Sequence, residues 1–530
     1  MEFSTLDYSI FVGYLLMMVG FGIWLSRKGK NDTAQDYFLA SKALPWWAVG
    51  GSLIASNISA EQFIGMSGSG YAIGFAIASY ELMAAATLLI VAKFFLPIFL
   101  KKGIYTMPQF LEQRFDARVR TGLAIFWVFL FVFVNITSVL YLGGLAVENI
   151  MGINSIYAII GLALFAASFS IFGGLKAVVW TDVVQVVVLI FGGLMASYFV
   201  LDAVSASNGV WAGMQILLEK APEKFDMIFT KDVMYKDITT GEMKSAYDLL
   251  PGLSVLIGGM WIANIYYWGT NQYIIQRALA AKSLREAQWG VAFAAFLKVL
   301  LPIIVVLPGI AAFVLNADIA KPDEAYPWVL NNFVSTGFKG LAFAALIAAI
   351  GSSLSSMVNS TTTIFTLDIY KPYINKTAND EQLVKVGKMS AAAALLLGVI
   401  VAPLLGNLDQ AFQYIQEYTG FISPGVVTVF LFGLFWKRTS ANAAFWVVLL
   451  SIPLSIILKI GLPSLPFIDR MGLCFLALSA VIVTISLKEN QSDDAKAIDV
   501  DNGLFKTDAI FNFSSILVCG MLAVIYALFW

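Results

Sequence analysis

Apolar stretches long enough to cross a bilayer, about 20 residues each, recur from one end of the chain to the other. They predict fourteen membrane spans, at 7–26, 45–70, 74–100, 118–148, 154–173, 178–204, 250–275, 286–316, 337–371, 384–405, 409–435, 440–460, 465–487 and 507–529. The distribution of basic residues fits this count. Alternate short loops hold Arg27, Lys28, Lys30 and Lys42, then Lys101, Lys102, Arg114, Arg118 and Arg120, then Lys176, Arg277, Lys282 and Arg285, and so on to Lys488, Lys496 and Lys506. The opposite loops hold far fewer. Basic loops stay in the cytoplasm, so both termini are expected outside, and omitting one span would invert every later loop. The first apolar run, Tyr8–Leu25, follows Glu2 and Asp7 and precedes the basic cluster, the reverse of a signal peptide.

Two spans are interrupted by polar residues and glycine. The stretch SLIASNISAEQFIGMSGSGYAIGFAIASYE, Ser52–Glu81, passes through Ser56, Asn57, Ser59, Glu61 and Gln62 before turning glycine-rich, and reaches Glu81 after another apolar run. The second, Leu253–Gln276, contains Gly258-Gly259, Asn264 and Gly269-Thr270-Asn271-Gln272. Irregular backbone and carboxylates at bilayer depth persist only where they line a cavity or find partners. The breaks fall in the second and seventh spans. A repeat of five spans, an odd number, enters the membrane from opposite sides in its two copies, as expected for an inverted-repeat transporter with a site near the midplane. The plainer reading of either break alone is that its glycines ease helix packing.

Composition narrows the function classes. Of 530 residues 59% are hydrophobic and only 13% charged, half the charged share of an ordinary globular domain, which leaves no room for a large soluble domain. A net charge of −1 argues against nucleic acid. Cys474 and Cys519 lie in separate apolar segments, so neither a disulfide framework nor a metal cluster is indicated. Histidine is absent, which removes zinc-type sites and the usual proton relay, though Asp and Glu remain as proton carriers. In the longer external segment Ser205–Tyr247, VWAGMQILLEK suits a short amphipathic surface helix. Lys488–Asn502 reads as a flexible cytoplasmic linker.

Gln62, Glu81, Asn264, Lys298 and Gln416 are polar residues inside apolar segments, and Tyr267 and Trp268 follow within about one helical turn of Asn264. Several donor–acceptor groups beside an aromatic face suit a neutral, hydroxyl-rich solute such as a sugar. Lys298 lies turns away from any flanking charge, so it needs a partner such as Glu81 or a ligand; a helix-joining ion pair is the plainer reading. AAIGSSLSSMVNSTTTIFTLD, Ala348–Asp368, is crowded with hydroxyls that either bond their own helix or join unwound carbonyls in a site for a hard cation such as sodium. Asp182, near the cytoplasmic end of its span, needs a counter-charge, for which Lys176 is the neighbour in sequence.

The runs SNISAEQFIGMSGSGY, FGGLKAVVWTDVVQ, YYWGTNQYIIQRALAAKS, SSLSSMVNSTTTIFTLDIY and FQYIQEYTGFISPG resemble the sodium:solute symporter family, and within it the sodium/glucose cotransporter branch, over nearly the whole chain. The resemblance implies an all-α, LeuT-like membrane domain: a leading span 7–26, inverted five-helix repeats at about 45–204 and 250–435, and trailing spans at about 440–529. It implies a sugar site at Gln62, Glu81, Asn264, Lys298 and Gln416, with Asn57 close by, an outer gate of Met66, Tyr80 and Phe412, and Tyr267 stacking on the sugar and closing the inner route. Sodium would take the carbonyls of Ala55, Ile58 and Ala349 and the hydroxyls of Ser352 and Ser353. In some members an aspartate placed like Asp182 joins serines in a second sodium site, and here Ser355 and Ser356 are available; a stop for departing sodium is the alternative. Ala84 stands where a galactose-transporting member has serine, which leaves the preferred hexose open. The implied activity is sodium-coupled symport of galactose or glucose into the cell, across the cell membrane and by alternating access, with no chemical step and no enzyme activity. Sodium ion, a monosaccharide and the lipid bilayer are the expected partners; neither nucleic acid nor an obligate protein partner is expected. Myo-inositol is the alternative substrate. A passive channel and a membrane enzyme acting on lipid-linked sugars are the rival classes, and the enzyme would need an acid–base pair or metal cluster that the chain does not offer.

Overall fold

A computed structural model describes residues 3–28, 33–405, 411–489, 492–500 and 503–530. Among them ten helices are long and apolar enough to cross a membrane. In chain order the elements that frame the site are α1 (Thr5–Arg27), α2 (Trp46–Asn57), α3 (Ser67–Ile73), α4 (Phe75–Lys102), α5 (Met107–Arg114), α6 (Ala117–Met151), α7 (Ser155–Ile171) and α8 (Gly173–Val204). After a longer connecting segment come α9 (Gly259–Ile265), α10 (Gln272–Leu279), α11 (Leu284–Val314), α12 (Phe338–Ile374) and α13 (Asp380–Leu405). The last elements are α14 (Ala411–Thr419), α15 (Ser423–Phe435), α16 (Ala441–Gly461), α17 (Phe467–Glu489) and α18 (Ala509–Leu528).

The two expected interruptions are real breaks with matching backbone geometry. Helix α2 stops at Ile58, which is extended at φ −74°, ψ 117°, and the chain re-enters helix through a π-helical turn, Glu61–Met66. Helix α9 runs into a π-helical turn, Tyr266–Thr270, and stops at Asn271, extended at φ −75°, ψ 126°. A third break is absent from the sequence reading. The span expected at 409–435 is split into α14 and α15, and its first positions, 406–410, lie outside the described residues. The carbonyls freed at that turn are held by α16, where Ser455 Oγ donates to Phe421 O at 3.1 Å and Ser451 Oγ to Phe421 O at 3.1 Å and Ile422 O at 3.4 Å. Helices α7 and α8, expected as separate spans, run on with a kink at Gly174, φ 55°, where a Cβ would meet the Tyr37 carbonyl oxygen at 2.5 Å.

Helix α12, with the hydroxyl run, is at the centre. Its apolar window is 94% buried, so its serines and threonines face protein and not lipid. Its N-terminus is capped from another helix: Asp7 Oδ1 accepts from Gly337 N at 2.7 Å and Gly340 N at 2.9 Å. Outside the bundle, the helix expected from VWAGMQILLEK spans Val210–Lys220, and a small hairpin pairs β1 (Met234–Lys236) with β2 (Met243–Ser245). The described part of the segment expected as a flexible linker is anchored to the bundle. Asp494 pairs with Arg114 at 3.5 Å, Lys496 Nζ donates to Phe115 O at 2.5 Å, and Ile498 is buried.

Candidate binding site

The first two breaks turn polar side chains inward onto one cavity, with about 550 Å³ of empty space between them. Asn57, Gln62, Glu81, Asn264, Tyr267, Trp268, Lys298 and Gln416 all line it. Lys298 reaches in from α11, pairs with the Glu81 carboxylate on α4, donates to Asn57 Oδ1, and lies 4.9 Å over the Trp268 ring. Both members of the ion pair are buried, so each needs the other. Gln62 Oε1 accepts from Ser59 N at 2.8 Å at the first break, and Asn264 Nδ2 donates to Met260 O at 3.1 Å one turn back in its own helix. Ala84 also lines the cavity.

Glu61 lines the cavity as well, its Oε1 accepting from Ser138 Oγ at 3.1 Å. Sequence reasoning left it out of the site. The argument that selected Glu81, a carboxylate at membrane depth, applies equally to Glu61.

The cavity is closed on two sides by rings. Tyr80 and Phe412 meet edge-to-face, centroids 5.1 Å apart at 89°. Met66 is buried on the π-helical turn and does not line the cavity; the adjacent Gly65 packs so closely that a Cβ there would meet Phe412 Cβ at 2.7 Å. On another wall the Tyr267 hydroxyl accepts from Asn57 Nδ2 at 2.9 Å and from the Tyr273 hydroxyl.

Beside the first break lies an oxygen-rich group. Ser353 Oγ on α12 donates to Ser56 O at 3.0 Å and Ile58 O at 3.1 Å. Ser59 N turns to Gln62, away from the Ala55 carbonyl that a continuing helix would give it. Ala349 stands one turn before Ser353 on α12. Ser352 points elsewhere, donating to Asp182 Oδ1 at 2.5 Å. Asp182 Oδ2 accepts from Ser52 Oγ at 2.5 Å and faces Arg277 at 3.4 Å. Arg277 also donates to Ser356 Oγ, which donates to Ser56 Oγ at 3.0 Å, while Ser355 Oγ donates to Ser352 O at 2.9 Å within its own helix. The counter-charge of Asp182 is therefore Arg277 and not Lys176. Asp182 and Arg277 are both wholly buried, whereas the Lys176 side chain is exposed.

The model of the sodium:solute symporter family matches residues 37–451 of this chain. The chain belongs to that family. It is 52% identical to the sodium/glucose cotransporter of Vibrio parahaemolyticus, over 99% of this chain and 98% of that relative. It is 34% identical to human sodium/myo-inositol cotransporter 2, over 83% of this chain and 67% of the relative. Among solved structures, a Na⁺-coupled sialic acid symporter in a substrate-bound outward-open state superimposes with a TM-score of 0.78 at 24% identity, covering 92% of this chain and 98% of that one. A nucleobase-cation-symport-1 family transporter gives 0.56 at 16% identity, covering 87% and 96%. These two likenesses concern the fold alone. As a member of the sodium:solute symporter family with ten membrane-length helices, the chain is a multi-pass membrane protein.

Proposed function

We propose that this symporter carries a neutral hexose into the cell together with sodium. The observation that carries the reading is the charge of the cavity wall. Its lysine, Lys298, is tied to Glu81, and Glu61 adds a second carboxylate. An anionic solute would find no unpaired cation there and would face two carboxyl groups, whereas a sugar can use the same groups as hydrogen-bond partners. The 52% identity to a protein named for sodium and glucose supports it. Myo-inositol, a neutral ring of hydroxyls, is the second reading, favoured by the relatives named for it.

In this reading Gln62, Glu81, Asn264, Lys298, Gln416 and Asn57 hold sugar hydroxyls, Tyr267 and Trp268 supply ring faces, and Met66, Tyr80 and Phe412 form the outer closure. Sodium binds at Ala55 O, Ile58 O, Ala349 O and the hydroxyls of Ser352 and Ser353, with Ser352 turning away from Asp182. Filling that site joins α2 to α12 and favours the outward-open form; sugar binding and closure follow, and low internal sodium favours release. Asp182, Ser355 and Ser356 serve as a stop for departing sodium and not as a second coupling site, because Arg277 already balances the carboxylate. Fourteen crossings follow if α7, α15 with α14, and the two broken segments are added to the long apolar helices. Repeats at 45–204 and 250–435 and external termini complete the topology. No bond is made or broken in this cycle.

Uptake into proteoliposomes tests the proposal. Labelled hexose should accumulate under an inward sodium gradient and not under a proton gradient, and preloading should accelerate it, as for a carrier and not a pore. Full-rate uptake in sodium-free buffer would refute the coupling. Competition among galactose, glucose and myo-inositol identifies the substrate, and parallel sodium and sugar fluxes in a ratio of two would refute the single-sodium reading.

A further inference from the structure

A second cavity lies on the far side of α14 from the sugar site. It is a groove between α6, the α14–α15 turn and α16, with about 1390 Å³ of open space and a nearly wholly apolar lining. Its walls include Gly122 and Val134 of α6, and Tyr418 and Phe421 at the turn. The α6 wall from Gly122 to Val134 rises about 18 Å, close to the roughly 15 Å hydrocarbon depth of one leaflet. All three walls belong to membrane-spanning segments, so lipid tails are the medium at its mouth.

The charges at one end specify more than a tail. Lys459 Nζ lies 5.1 Å over the Tyr418 ring and 5.5 Å over the Phe421 ring, the same rings that wall the groove. Lys459 and Arg470 both pair with Glu417, at 3.2 and 2.7 Å, so two cations share one carboxylate. Lys459 stands in the last turn of α16, where a long basic side chain reaches the headgroup level. A chain entering the groove gains nothing from the hydrophobic effect, since it leaves an equally apolar medium. Selection therefore comes from filling a void beside an irregular turn and from the net positive charge at its end.

We propose that this groove is a binding site for an anionic phospholipid, with one acyl chain along α6 and the phosphate at Lys459 and Arg470. The occupant bears on transport through α14, which presents Tyr418 to the groove and Phe412 and Gln416 to the sugar cavity. The α14–α15 turn is held by two serine hydroxyls, and the lipid chain packs on its open side.

Gly122 gives access to the groove without a clash, since a Cβ there meets only Val448 Cγ1, at 3.7 Å. Gly122→Leu should therefore fill it. Native mass spectrometry of the full chain, delipidated and then supplied with phosphatidylglycerol or phosphatidylcholine, reads the site directly. The parent should retain one phosphatidylglycerol in preference to phosphatidylcholine, and Gly122→Leu should lose that species. Lys459→Gln, which leaves the groove open, should weaken phosphatidylglycerol binding by about fivefold, the effect of one cation near an anionic headgroup. Sugar affinity in nanodiscs should be higher with phosphatidylglycerol than with phosphatidylcholine for the parent and equal for Gly122→Leu. Equal retention of the two lipids by the parent, or unchanged phosphatidylglycerol binding in Lys459→Gln, would overturn the headgroup assignment. Retention by a folded Gly122→Leu equal to the parent's would overturn the groove itself.

Discussion

Lys298 and Glu81 show how a costly pair is kept at bilayer depth. Each is buried, and each is the ion-pair partner of the other. Lys298→Met should destabilise the protein by about 3–5 kcal/mol, because it leaves a buried carboxylate unpaired. The double substitution Lys298→Met with Glu81→Met should cost less than the sum of the single ones. A thermal-unfolding cycle in detergent measures this coupling, and strict additivity would show that the two side chains do not depend on each other. The role of Tyr267 is larger than a stacking face. Its hydroxyl accepts from Asn57 and Tyr273, so Tyr267→Phe leaves two donors unpaired at about 1 kcal/mol each. Sugar affinity should fall by roughly thirtyfold, and further in Tyr267→Ala, which also removes the ring. Equilibrium binding of labelled sugar checks the order, and a Phe variant equal to the parent would confine the residue to stacking.

The helix breaks were legible where glycine and polar residues interrupt an apolar run, as at Asn57–Gln62 and Gly269–Gln272. The third was not, because its turn, Gly420-Phe421-Ile422, is apolar, and the partners that hold it, Ser451 and Ser455, lie about 30 residues further on. Pro424, near the start of α15, was the available sign. Caps between elements escaped for the same reason. Asp7 on α1 caps α12 across the fold, and Asp7→Ala should cost about 0.5–2 kcal/mol, read as a lower Tm, with Asp7→Asn intermediate. In the segment between α8 and α9, Lys224 Nζ donates to Tyr71 O at 3.0 Å and Ala72 O at 2.7 Å, closing the end of α3. Burial pushes its pKa from 10.5 down to about 8, against the opposing pull of Glu223. The unfolded chain holds this proton up to its higher pKa, so between about pH 8 and 10.5 the unfolded state binds more protons and stability rises with pH, by up to about 3 kcal/mol. The Tm difference between the parent and Lys224→Gln should therefore shift in the parent's favour from pH 8 to pH 10. A constant difference would show that the lysine titrates as it does in water.

The class of the whole molecule was written in its hydropathy and its loop charges, but its buried Asp182–Arg277 pair was not. Arg277 ends a polar run, GTNQYIIQR, where it reads as one more cytoplasmic loop charge. Only the packing of α10 against α2 and α12 turns it inward to Asp182. The same packing builds a ladder of hydrogen bonds around Gln276. Gln276 Nε2 donates to Phe38 O at 2.6 Å and Thr363 Oγ1 at 3.2 Å, and Gln276 Oε1 accepts from Ser360 Oγ at 2.9 Å. In the proposed alternating-access cycle this ladder must part, since α10 follows a break that borders the cavity and α12 carries Ser352 and Ser353 of the proposed sodium site. Asn359 stands beside it on α12, buried, with a carboxamide that finds no hydrogen-bond partner among the described residues. Such a group is costly in the closed form and gains water in the open one. Gln276→Ala removes three hydrogen bonds at roughly 1 kcal/mol each, enough to move a two-state equilibrium by about a hundredfold. In a background with Cys474 and Cys519 replaced, a cysteine introduced by Asn359→Cys should react faster with a membrane-impermeant thiol reagent added from the cytoplasmic side when Gln276→Ala is present. Saturating sodium should slow that reaction, because filling the sodium site favours the outward-open form. Labelling that is indifferent to Gln276→Ala would place the inner closure elsewhere. Labelling that responds to Gln276→Ala but not to sodium would separate the inner closure from the ion site.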